Sequence, residues 1–114
     1  MRSRWADDRG SATAELAVAL PAVALVLALC LGAVHVVGRQ VRLTDAAADA
    51  ARALGRGDSA DVAGGIAERV AGGGVGMTVW DETPLVCARL TATAGGLLGG
   101  ISLSAESCAV AGGG

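Results

Sequence analysis

At 114 residues the chain has room for one small domain, yet 53% of it is hydrophobic and its mean hydropathy is +0.55, high for a soluble protein of this size. A net charge of −2 and a pI of about 5.2 offer little to a nucleic-acid backbone, and the nine basic residues, all Arg, are scattered rather than striped along one face. Trp5 and Trp80 are the only aromatic residues, so a large core is excluded.

In chain order, the first feature is a short segment carrying Arg2, Arg4 and Arg9, followed by an apolar run from Leu16 to Gly38 without a formally charged side chain. As a helix this run covers roughly 34 Å, and a bilayer core needs about 30 Å. A buried core helix is the competing reading. With so few bulky residues elsewhere, the chain lacks the surface to wrap a helix that is apolar on every face. A secretory signal peptide has an apolar core of about 7–15 residues, so a retained anchor is favoured over a cleaved signal. Flanking charge does not orient it: Arg2, Arg4 and Arg9 on one side are matched by Arg39, Arg42 and Arg52 on the other.

The junction into this run reads Asp8-Arg9-Gly10-Ser11-Ala12-Thr13-Ala14-Glu15-Leu16. Glu15 has an ordinary explanation, since carboxylates are favoured in a first helical turn by exposed N–H groups and the macrodipole. It is not part of a capping box, because the residue three positions earlier is Ala12 rather than Ser or Thr. Gly10 followed by a small residue, a Glu five positions after that Gly, and an apolar helix with an early Pro21 together resemble the class III leader of type IV pilins. The stretch RGSATAELAVALPAVALVLAL is similar to the N-terminus of TadE-like minor pilins, or pseudopilins, of the Flp/Tad pilus system.

That resemblance implies cleavage by a prepilin peptidase between Gly10 and Ser11 on the cytoplasmic side. Ser11 then becomes the first mature residue and Glu15 the fifth. It implies as partners the peptidase, other pilin subunits and the assembly platform, with Glu15 of one subunit meeting the new amine of a neighbour. An isolated buried charge is very costly, so both groups would be satisfied by assembly. Residues 1–10 are therefore expected to be a cytoplasmic leader and residues 11–57 the N-terminal helix, with its transmembrane span at 16–38.

Within the span, Pro21 reads as a shape element tolerated in membrane helices, and Cys30 most simply as a small buried hydrophobe, the alternative being a thiol that links subunits at a helix–helix contact. His35 has no second His and no carboxylate at ligand spacing, which favours an interfacial or helix-packing role over metal binding. Beyond the span, Leu43, Ala47, Ala50, Ala51 and Leu54 continue a helical stripe, with Asp45, Asp49 and Arg52 on its polar side and Gly55 and Gly57 ending it. Asp58 is a suitable N-cap for a second helix to about Ala71, striped by Val62, Ile66 and Val70. Gly72, Gly73 and Gly74 then break the chain. They do not form a phosphate loop, since no Lys is present and the following segment reads as strand.

After Gly74 the pattern alternates, and strands are expected at 75–80, 85–94 and 101–110, with turns at 81–84 and 95–100. If the last two strands pair with Cys87 opposite Cys108, all paired numbers sum to 195. Arg89 then faces Glu106, Thr91 faces Ser104 and Thr93 faces Ser102 on a polar face, while Leu90 with Ala105 and Ala92 with Leu103 fall on an apolar one. That consistency, together with the resemblance, favours a Cys87–Cys108 disulfide over unpaired thiols or a two-cysteine metal site. A disulfide in turn places the C-terminal part outside the cytoplasm.

The expected fold is α+β: a long N-terminal transmembrane helix extending out of the membrane, a short second helix, and a small antiparallel three-stranded sheet, with residues 58–114 as an extracytoplasmic helix-plus-sheet domain. No catalytic constellation, cofactor or metal site is expected, because the only His lies at the membrane boundary. The favoured function is a structural minor pilin of the Flp/Tad pilus. The alternative is an uncleaved single-pass anchor displaying a small binding or adhesion module.

Overall fold

The computed structural model describes residues 4–112. They form helix α1 (Arg4–Gly55), helix α2 (Ala60–Ala71), strands β1 (Gly76–Glu82), β2 (Leu85–Thr93) and β3 (Ser102–Val110), and a short 3-10 turn at Gly96–Leu98. The α+β order expected from the sequence is the observed one. Contacts divide the chain into two compact units, residues 1–33 and residues 34–114.

In the first unit α1 is rich in Ala and Leu, strong helix formers that lose little freedom in a helix. Pro21 lies inside it. Its missing N–H removes one bond of the ladder, and the helix continues through that loss. Every side chain from Gly10 to Leu31 is solvent-exposed, including Leu20, Leu25, Leu29 and Leu31. The helix is long and apolar enough to cross a membrane.

In the second unit the C-terminal part of α1, helix α2 and one sheet face enclose the core. Leu43, Ala46, Ala47, Ala50 and Ala53 of α1, Ala63, Ala67 and Ala71 of α2, and Ala88, Leu90 and Ala92 of β2 form one buried cluster. Small side chains let the elements approach closely, but they bury little apolar area apiece. Leu43, Leu90 and Cys87 are the largest fully buried side chains. The approach is close at Gly55, where an added Cβ would lie 3.0 Å from the Val110 carbonyl oxygen and 3.2 Å from the Ala109 Cβ.

The termini of the helices explain where they stop. Gly57, with φ of 98°, takes the left-handed position after α1; its N–H donates to the Leu54 carbonyl and the Asp58 N–H to the Ala53 carbonyl, both at 3.0 Å. This is a Schellman termination, for which glycine carries no steric penalty. Two expectations for α2 are corrected. Its N-cap is Ser59, whose hydroxyl accepts from the Val62 N–H at 3.3 Å, while Asp58 pairs with Arg56 at 3.2 Å. Its buried row is Ala63, Ala67 and Ala71, one position on from the expected Val62, Ile66 and Val70; Val62 is half exposed, and Ile66 and Val70 are partly buried at the margin. Close packing selects the smallest side chains for the contact line and leaves the larger ones beside it.

The sheet is a meander in the order β1-β2-β3, antiparallel throughout. β2 and β3 pair from Leu85↔Val110 to Thr93↔Ser102, with Arg89↔Glu106 between, which is the register that sums to 195. β1 runs on through Asp81 and Glu82, because Glu82 pairs with Leu85 and leaves Thr83-Pro84 as the whole turn. Those two acidic residues, expected in the turn, are strand.

Candidate functional site

In the first unit, Ser11 and Glu15 are one helical turn apart on the same face of α1. Ser11, Ala14, Glu15, Val18, Ala19 and Ala22 line a shallow open depression on that face. The spacing of three, one, three, one and three residues makes a single stripe, mostly of small side chains, with one carboxylate at its head. Glu15 has no hydrogen-bond or ion-pair partner among the described residues. Gly10 and Ser11 lie within the helix, which reaches back to Arg4. The Gly10–Ser11 bond therefore sits in helical backbone, at a residue whose helix propensity is about 1 kcal/mol below that of Ala.

Cys87 and Cys108 are disulfide-bonded, with their Cα atoms 4.0 Å apart on the directly paired positions of β2 and β3. Cys30 is free and exposed. A Glu82 carboxylate oxygen lies within 4.8 Å of both bonded sulfurs, the one such grouping of potential metal ligands among the described residues. Sulfurs joined in a disulfide are not thiolates, and thiolate is the metal-binding form. The surrounding face is polar: Arg89 bonds Glu106 at 2.8 Å and stacks 5.3 Å from the centroid of the Trp80 ring, whose indole N–H donates to Glu82 at 3.0 Å. Exposed pairs of this kind contribute about 0–1 kcal/mol each.

The bond closes a loop that the cysteines bound 21 residues apart, so it restricts the unfolded chain by about 3 kcal/mol. The double variant Cys87→Ser/Cys108→Ser is expected to lose about that much stability, measured as a lower thermal midpoint of the full chain in detergent. An unchanged midpoint contradicts a structural role for the disulfide.

Sequence reasoning missed a set of polar pins that fix α1 within the second unit. The Arg39 guanidinium donates to the carbonyls of Ala71 and Gly73, the latter at 2.8 Å. A cation there meets the negative end of α2 and occupies carbonyls left without helical partners. The Gln40 amide donates to the Ser104 carbonyl at 3.0 Å, and His35 Nε2 donates to the Ala94 carbonyl at the same distance. His35 is thus a packing residue. The glycine run ending α2 signals exposed carbonyls in need of a donor, but nothing local to that run names Arg39.

Residues 10–52 match the family described as TadE-like protein. Over 60 residues, 50% of this chain and 48% of the relative, the chain is 50% identical to a Mycobacterium tuberculosis (strain ATCC 25618 / H37Rv) protein named "Apoptosis inhibitor Rv3655c". The alignment therefore spans about half the length of that relative. No solved structure matches the chain.

Proposed function

From the TadE-like match over residues 10–52, we propose that this chain is a minor pilin or pseudopilin of a Flp/Tad pilus, anchored by one membrane span and incorporated through its N-terminal helix. A prepilin peptidase cuts between Gly10 and Ser11 on the cytoplasmic side, and residues 58–114 lie outside the cytoplasm. The observation that carries this reading is the coincidence of the match with an uncovered apolar helix headed by a carboxylate that has no partner among the described residues.

The physical sequence of events follows from the spacing. Cleavage creates an α-amino group at Ser11, largely protonated at neutral pH. Four residues of helix rise about 6 Å, so a neighbour displaced along the axis by that amount aligns its amine with this carboxylate. The small residues at Ala14, Ala19 and Ala22 let helix backbones approach, as at helix contacts within membranes. Apolar packing and one charge pair then favour the same register. The disulfide in the second unit accords with an oxidising compartment.

The test is fractionation. Expressed with an active Flp/Tad assembly system, the chain is expected in sheared pili or bound to the assembly platform. Recovery in the bulk membrane fraction alone, with pili otherwise assembled, contradicts incorporation and favours the uncleaved anchor displaying its polar sheet face.

A further inference from the structure

The apolar run ends at Gly38, and on the next turn α1 carries a basic cleft. Val34, His35, Gly38, Arg39 and Arg42 line a concavity of about 260 Å³ within the second unit. His35, Gly38, Arg39 and Arg42 stand at i, i+3, i+4 and i+7, hence on one helix face. Gly38 adds no side chain to this face, and a Cβ built there meets nothing within 4 Å.

The walls differ in what they have left to give. His35 Nε2 is committed to the Ala94 carbonyl, and two N–H groups of Arg39 to the Ala71 and Gly73 carbonyls. Arg39 has five donors, so three remain. Arg42 is exposed and has no hydrogen-bond or ion-pair partner among the described residues. The cleft therefore presents two guanidinium groups, one held in place by the fold and one free, with no carboxylate in its lining. Guanidinium matches phosphate geometry through paired N–H donors.

We propose that this cleft seats the phosphate of an anionic phospholipid. The position decides between ligands of that chemistry, since the charges follow the last residues of a run long enough to cross the hydrocarbon, at the depth where headgroups lie. Arg39 supplies a fixed donor and Arg42 closes over the phosphate, while Val34 and the end of the span meet the upper acyl chain. The inference rests on the reading of residues 16–38 as a membrane span.

Flotation of the full chain with phosphatidylcholine vesicles tests that reading alone, and a chain that stays with the soluble fraction sinks it without reference to Arg42. The cleft is tested by native mass spectrometry of the full chain in nonionic detergent with phosphatidylglycerol, phosphatidylcholine or inorganic phosphate. Wild type is expected to retain phosphatidylglycerol about fivefold more strongly than Arg42→Gln. Arg69→Gln, which alters an exposed arginine on α2, is expected to match wild type. An unchanged thermal midpoint shows that Arg42→Gln is folded. Equal retention by wild type and Arg42→Gln overturns the proposal, as does displacement of the lipid by equimolar inorganic phosphate, which assigns the cleft to a free anion. Unchanged lipid retention with lost self-association assigns Arg42 to a carboxylate of a second copy and overturns it equally.

Discussion

Glu15→Ala is expected to insert into the membrane as well as wild type and to disappear from assembled pili. Insertion depends on the apolar run, which begins after Glu15 and is unchanged. In the proposed role, assembly draws the N-terminal amine of a cleaved subunit among apolar helices, where an unpaired charge is costly. Removing one partner of a buried ion pair costs about 3–5 kcal/mol, which lowers incorporation on the order of a hundredfold or more. Quantifying the variant in membranes and in sheared pili separates the two steps. Wild-type recovery in pili contradicts the role assigned to Glu15 and returns it to a plain helix-start residue.

The second large effect concerns the thin core. Leu43 is fully buried and is one of two leucines in a buried cluster otherwise made of alanines, which cannot rearrange to fill a void. Leu43→Ala is expected to cost roughly 3–5 kcal/mol through lost transfer energy and the cavity left behind. A unit of this size has roughly 4–12 kcal/mol in total. The midpoint of thermal unfolding, followed on the full chain in detergent by circular dichroism, is expected to fall by roughly 12 °C or more. Val62→Ala is the contrast: Val62 is 50% exposed, and its truncation is expected to stay within about 0.5 kcal/mol. A comparable loss from both variants contradicts the alanine-lined packing of α2.

The contrast between Leu43 and Val62 also marks what was legible in the sequence. Leu43, Ala47, Ala50 and Ala51 were legible as core because one helical stripe contains them and the opposite side carries Asp45 and Arg52. The β2–β3 register was legible because two independent patterns agreed: the cysteine alignment and the segregation of Arg89, Thr91 and Thr93 from Leu90 and Ala92. The buried row of α2 was not, because hydrophobicity ranks Val and Ile above Ala, whereas a close helix contact ranks them by size. Ser59 displaced Asp58 as the cap for a related reason: both residue types suit the position, and Arg56 engages the aspartate. The pins from Arg39, His35 and Gln40 join residues 32 to 64 positions apart, beyond the reach of any periodicity.

The candidate assembly site behaves differently from the fold. Gly10, Ser11 and Glu15 are neighbours in sequence, so their spacing was readable without knowing any tertiary contact. The structure adds that the carboxylate is unpartnered among the described residues and that it lies on a stripe of mostly small residues on an exposed helix. Its partner in the proposed role is another subunit's terminus, created only after cleavage. The buried cluster of the second unit is drawn from residues 43–92, so its stability and its disulfide stand on residues other than Glu15.

In the proposed role this helix is an assembly element exposed by proteolysis. Intact-mass and N-terminal analysis of the chain, expressed with and without an active prepilin peptidase, tests it most directly. The expected product begins at Ser11, lighter by the mass of residues 1–10, only when the peptidase is present. A chain that keeps its leader beside a peptidase shown to process another prepilin in the same cells contradicts it.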